Sequence, residues 1–125
     1  MKNVISTPRA PRPSGAYSQA VVAGNVIYVA GQVARDPTTQ AFIGGSVSAQ
    51  TARVLDNITA ILEAAGANRA AVVRTNVYLA DIDTFEEMNE MYAQYFPIAP
   101  PARTTVQARL GGKAAVEIDV IAVLA

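Results

Sequence analysis

Near the end of the chain, Ala115 to Leu124 places apolar side chains on both parities of an extended segment, broken only by Glu117 and Asp119. A strand of that kind is expected where both faces of its sheet are buried. Val26-Ile27-Tyr28-Val29-Ala30 repeats the pattern, so the fold must hide two faces of a sheet, and the remaining sequence offers little to do it with. Between Ser48 and Ala65, Leu55, Ile58, Ile61, Leu62 and Ala65 recur at three-and-four spacing, which predicts one amphipathic helix stopped by Gly66. Asp83 followed three residues later by Glu86 predicts a capping box for a second helix, with Phe85, Met88, Tyr92 and Tyr95 or Phe96 as its stripe and Pro97 as its end. Two helices cover one face. The other is left for further copies of the chain, where burying even ~400 Å² of apolar sheet contributes on the order of 10 kcal/mol before association costs. A homo-oligomer is expected on that ground.

The other strands follow from β-branched runs and turn residues. Ala20-Val21-Val22 and Val26 to Val33 predict a hairpin around Gly24-Asn25, and Asp36-Pro37-Thr38-Thr39-Gln40 a turn. Val72 to Leu79 predicts a strand in which Val73, Thr75, Val77 and Leu79 are the better-buried parity. Arg103 to Arg109 and Ala115 to Leu124 predict two last strands, paired as a hairpin if they meet across Gly111-Gly112. Residues 1–16, with Pro8, Pro11, Pro13 and Gly15, read as an extended arm that docking can order. The order β-β-α-β-α-β-β is that of an α+β domain, a mixed sheet with two helices on one face, and 125 residues suit one domain over 1–125.

Cysteine, histidine and tryptophan are absent, which removes disulfides, thiolate nucleophiles, Cys/His zinc sites and imidazole mechanisms. Acid-base work falls to Asp, Glu, Lys, Tyr, backbone or water. Ten basic and ten acidic residues cancel without a run of like charge, so neither a nucleic-acid partner nor an anionic membrane is indicated. Arg9 and Arg12 are too few for a nucleic-acid tail. The start of the chain lacks a signal-peptide core, and no later apolar run is long enough to span a bilayer, so a cytoplasmic protein is expected. Neither glycine pair belongs to a phosphate-cradling motif, and Asp81 with Asp83 is explained more cheaply by a helix cap than by a metal.

Two charges stand out because they sit in otherwise apolar strands, where an ionised group must find a partner or bear a large desolvation cost. Arg103 opens one strand after Pro100-Pro101-Ala102; Glu117 lies in the next. They read either as a cross-strand ion pair or as two halves of a ligand site, the guanidinium fork holding an anion while the carboxylate orients or activates water. Tyr17 either closes a pocket or stakes the arm to the core. Gly31 interrupts a strand, as at a bulge or a close ligand approach, or as a glycine required by packing. Asn89 lies off the apolar spacing of its helix and reads as a solvated residue.

Taken with Gly15-Ala16-Tyr17-Ser18-Gln19, Val29-Ala30-Gly31-Gln32, Val77-Tyr78-Leu79-Ala80-Asp81, Met88-Asn89-Glu90-Met91-Tyr92, Pro101-Ala102-Arg103-Thr104-Thr105 and Val116-Glu117-Ile118-Asp119, these residues resemble the RidA/YjgF family of reactive intermediate deaminases over nearly the whole chain. The resemblance implies a chorismate-mutase-like α+β fold assembled as a homotrimer, with sites in the clefts between subunits. It implies hydrolysis of enamine/imine intermediates such as 2-aminoacrylate to 2-keto acids and ammonia, without metal or organic cofactor. Arg103 then matches the carboxylate clamp and Glu117 the residue that positions the water. Tyr17, Gly31 and Asn89 match pocket positions. Ala30 stands where the deaminase subgroup commonly has serine, and Thr105 where it has cysteine, with the Thr105 carbonyl still able to bind the water. Ala16 replaces the usual proline. Those departures keep an alternative in view: a non-catalytic member binding small keto acids, or a regulatory or chaperone-like one.

Overall fold

A computed structural model describes all 125 residues. Helix α1 (Val47–Ala64) starts where the Ser46 side chain accepts from the Ala49 amide at 3.0 Å and Glu87 accepts from the Ser48 amide at 2.9 Å. Amide groups that a helix N-terminus leaves unpaired are thus filled from two directions. Gly66, at φ +85°, closes its far end in the left-handed region. Helix α2 (Phe85–Tyr95) packs beside α1 and buries Met88 and Tyr92. Its expected capping box does not form. A short 3₁₀ turn, Ile82–Thr84, precedes it, and the capping side chain is Asp81, which accepts from the Asp83 amide at 2.9 Å. The extra turn moves the start of α2 two residues beyond Asp83, so that Thr84, and not Asp83, occupies the N-cap position.

The strands are β1 (Lys2–Ile5), β2 (Ala20–Ala23), β3 (Val26–Gln32), β4 (Val72–Leu79), β5 (Ala102–Gln107) and β6 (Val116–Val123), in the sheet order β1-β2-β3-β6-β4-β5. The β2–β3 hairpin forms as expected, with Gly24 at φ +62° in its turn. The last two strands do not form one. β6 runs antiparallel between β3 and β4, while β5 lies parallel to β4 at the sheet edge. Physical cost explains the placement: β6 is apolar on both parities and belongs in the middle, whereas Arg103, Thr104, Thr105 and Gln107 tolerate an edge.

Val54, Leu55, Ile58, Ile61 and Leu62 of α1 meet Val77 and Leu79 of β4 and Val116, Ile118 and Val120 of β6 to form the core. On β4 the expected parity holds from Thr75 onward but fails at Val73, which is exposed. A bulge between Val72 and Arg74 shifts the pairing and gives the buried position to Val72. The opposite sheet face carries no helix. Tyr28 and Ile121 pair across it, with Tyr28 50% exposed, and Val4, Val106 and Val123 are exposed too.

The N-terminal residues are more regular than the proline content suggests. β1 pairs antiparallel with β2, and the stretch after it is bound to the sheet by one buried side chain. Gln19 accepts from the Thr7 amide at 2.7 Å and its own amide faces the carbonyls of Thr7, Ala10 and Pro11 at 3.1, 3.3 and 2.8 Å. Carbonyls that proline-rich chain cannot pair within a ladder are paired here by a side chain.

Candidate active site

Arg103 sits on β5 facing the helices. Its register partner is Thr75, whose Oγ1 shares a 2.8 Å hydrogen bond with the Tyr92 hydroxyl and so fixes that ring. The guanidinium carbon lies 4.6 Å from the Tyr92 ring centroid and 5.2 Å from that of Phe85, and Nη1 donates to Asn89 Oδ1 at 2.8 Å. Two aromatic faces and one amide hold the fork; its remaining N–H groups carry no carboxylate, because the chain's one salt bridge joins Arg9 to Glu63. Asn89, expected to be solvated, is instead the acceptor that aims Arg103. Thr105 follows on the same side of β5, and its Oγ1 is enclosed without a hydrogen-bond partner. Arg103, Asn89 and Tyr92 border a cavity of about 370 Å³ against Pro100 and Pro101.

Glu117 lies on the other face of the sheet. Its register partner is Tyr78, and its neighbours Val116 and Ile118 point into the core. The expectation that Arg103 and Glu117 come from adjacent strands is therefore wrong within one chain. β4 separates β5 from β6, and the two charges face opposite sides. This geometry also excludes an intrachain ion pair between them.

Glu117 borders a separate cavity of about 700 Å³ with Tyr17, Ala30 and Gly31. A bulge in the β3–β6 register at Ala30-Gly31 brings the backbone down onto the carboxylate. A Cβ at Gly31 would stand 2.3 Å from Glu117 Oε2, so only glycine leaves that oxygen in place. The Ala30 amide donates to the Gln19 carbonyl at 2.9 Å, and the Tyr17 hydroxyl accepts from the Ser14 amide at 3.1 Å. Arm, bulge and carboxylate form one unit.

Burial, and secondly the charge of Asp119, push the Glu117 carboxyl above the usual carboxylate range. Asp119 is two residues along on the same face, where it accepts from Asn76 Nδ2 at 2.8 Å and from the Tyr78 hydroxyl at 2.9 Å. That hydrogen bond to Asp119 is also the main reason the Tyr78 phenol is raised. The i, i+2 spacing of Glu117 and Asp119 on a strand was the signal for this pair. Two further residues on the Glu117 cavity, Arg35 and Lys113, had no signal, since only the course of two loops brings them there. The chain holds no cluster of three or more potential metal ligands, and no helix is long and apolar enough to cross a membrane.

Fold and site together define a class: a mixed sheet with two helices on one face, a clamped arginine at its β5 edge and a raised glutamate on its uncovered side. The Endoribonuclease L-PSP family matches residues 7–124, and the chain belongs to that family, the RidA/YjgF family its motifs resemble. A RutC family protein of Pyrococcus horikoshii is 48% identical over 123 residues, covering 98% of each chain. The human protein named 2-iminobutanoate/2-iminopropanoate deaminase is 41% identical over 124 residues, 98% of this chain and 90% of that one. Among solved structures, Escherichia coli TdcF with bound serine superposes with a TM-score of 0.93 at 34% identity, covering 98% of this chain and 99% of that chain.

Proposed function

We propose that this protein is a deaminase of small 2-imino acids, converting 2-aminoacrylate and its 2-iminopropanoate or 2-iminobutanoate relatives to 2-keto acids and ammonia, in the cytoplasm. The observation that carries the reading is the complementary pair of half-sites: an arginine fork with open donors, and an unpaired glutamate that burial has made more basic. The human relative bears the name of this activity. Because one chain keeps the halves on opposite faces, the site is completed by a second copy, in a homotrimer whose subunits meet through the uncovered sheet face. Arg103, steadied by Asn89, binds the substrate carboxylate. Tyr17, Ala30 and Gly31 wall the pocket, and the Thr105 carbonyl helps hold the attacking water.

In the reaction, Glu117 takes a proton from water as the oxygen adds to the C=N carbon and returns it to the nitrogen, giving a neutral tetrahedral aminoalcohol. Glu117 then takes the hydroxyl proton as C=O forms and delivers it to the nitrogen as the C–N bond breaks, releasing ammonia. The imine carbon is already electrophilic, so holding the anion and delivering water suffice; no metal or organic cofactor is required by this scheme.

A second reading is favoured by Ala30, which offers no hydroxyl to the pocket: a member that binds keto acids without hydrolysing imines, in a regulatory or chaperone-like role. A coupled assay separates them. A pyridoxal-phosphate dehydratase generates the imine in situ, and keto-acid release is followed with and without the protein. Acceleration that Arg103→Ala reduces by about a hundredfold, the equivalent of ~3 kcal/mol of charge-assisted hydrogen bonding, supports the deaminase. Arg103-dependent keto-acid binding with no acceleration supports the binder.

A further inference from the structure

The Glu117 cavity contains two cations that the scheme above leaves idle. Arg35 and Lys113 both border it, and neither forms an ion pair, since Arg9–Glu63 is the chain's one salt bridge. Arg35 is not loosely placed. Its amide donates to the Val33 carbonyl at 2.8 Å, and its carbonyl accepts from the Nδ2 of fully buried Asn57 at 3.0 Å. It also bridges antiparallel to Phe42. Its Nη1 donates to the Gln40 carbonyl at 3.3 Å, leaving Nε and Nη2 without partners in the chain.

Carboxylates nearby do not answer these charges. Asp36, next in sequence, commits Oδ1 to the Thr38 and Thr39 amides at 2.7 and 2.9 Å. Glu117 is governed by burial and Asp119, with neither cation among the influences on it. In a chain whose formal charge is zero, one cavity therefore carries an anchored guanidinium, an exposed ammonium and a separate carboxylate. That cavity, at about 700 Å³, is much larger than a short-chain imine fills.

We propose that Arg35 and Lys113 form a subsite for a second carboxylate, so that the preferred ligands of this site are imino and keto acids whose side chain ends in an anion. This rests on the deaminase reading for the placement of the first carboxylate at Arg103. A guanidinium fork held by its backbone suits a carboxylate bidentately, and the ammonium supplies a mobile point charge beside it.

Calorimetric titration of the full chain with 2-oxoglutarate and with 2-oxobutanoate tests the subsite without needing turnover. The expected result is about tenfold tighter binding of 2-oxoglutarate, a margin that narrows with added salt. In Arg35→Ala/Lys113→Ala that ratio collapses toward unity, and Arg35→Lys, which keeps the charge, retains part of it. Equal affinities in the unaltered protein, a ratio that survives the double substitution, or loss of both ligands alike would each overturn the proposal. Imine hydrolysis is measured in parallel on aspartate-, glutamate- and alanine-derived imines. Failure on all of them sinks the deaminase reading while the titration still decides the subsite, whereas equal rates on all sink the subsite alone.

Discussion

Gly31 shows how one missing side chain places a carboxylate. Its absent Cβ is the space that Glu117 Oε2 fills, and the clash in Gly31→Ala is with the far end of a flexible side chain rather than with backbone. The substitution is therefore expected to cost little stability, under ~1 kcal/mol, while swinging the carboxylate out of its cavity and lowering kcat/KM by at least about tenfold. Thermal unfolding and the coupled assay on the same preparation check both halves; a large loss of Tm with kinetics intact would refute the assignment.

The raised Glu117 carboxyl gives a pH dependence of definite sign. In the proposed reaction Glu117 is the base and must be deprotonated, so the acidic limb of the kcat/KM profile should lie above the ordinary carboxylate range. Asp119→Asn removes the contributing charge and shifts that limb to lower pH. Stability runs the other way. Because folding raises this pKa, the folded chain holds the proton more tightly than the unfolded one. Stability then falls as pH climbs from the unfolded carboxyl value through the folded one, and is level above it. Glu117→Gln removes that penalty, and at neutral pH it should raise stability slightly, by under about 1 kcal/mol given solvent screening, while abolishing turnover.

Among the elements, the N-terminal arm depends most on a single contact. Gln19 supplies partners to backbone groups of Thr7, Ala10 and Pro11 that have no ladder to join, and the Gln19 carbonyl also receives the Ala30 amide. Gln19→Ala leaves those groups unpaired beside the fully buried Ala10, a cost of roughly 2–3 kcal/mol. Hydrogen exchange should report loss of protection over Lys2–Ile5 and at the Thr7 amide, and the Tyr17 side of the cavity should loosen with it. α1, the β2–β3 hairpin and most of α2 were legible from the sequence, because a periodic apolar stripe, a turn glycine and a helix-ending proline act within a few residues. The Asp81 cap and the β4 bulge were not, since each turns on a one- or two-residue shift that propensity does not resolve.

On the proposed reading, a single chain holds two separate halves of one site. Half of the proposed site lies at the β5 edge and half on the bare sheet face, and exposed Tyr28 and Val123 on that face call for burial against another copy. Sedimentation at micromolar concentration should give an assembly, and Tyr28→Glu should weaken it. A mixing experiment reads the shared site directly. Arg103→Ala and Glu117→Ala should each leave about one per cent of the activity or less, but chains unfolded and refolded together should recover about a quarter of it in a ring of heterologous contacts. No recovery would mean that the two groups do not act across an interface.

Composition and local pattern alone settled that this is a histidine- and cysteine-free α+β chain, where its helices lie, and that Arg103 and Glu117 are its unusual charges. Such properties depend on residue type and on spacing within one element. The sequence also carried the preference that sends β6 to the centre of the sheet, since its apolar residues occupy both parities. What it did not specify was β6 inserting between β3 and β4, which puts the two charges on opposite faces, or the loops carrying Arg35 and Lys113 to the Glu117 cavity. Those outcomes come from pairing between segments far apart in the chain, where the burial of whole faces, and not any local signal, selects one arrangement.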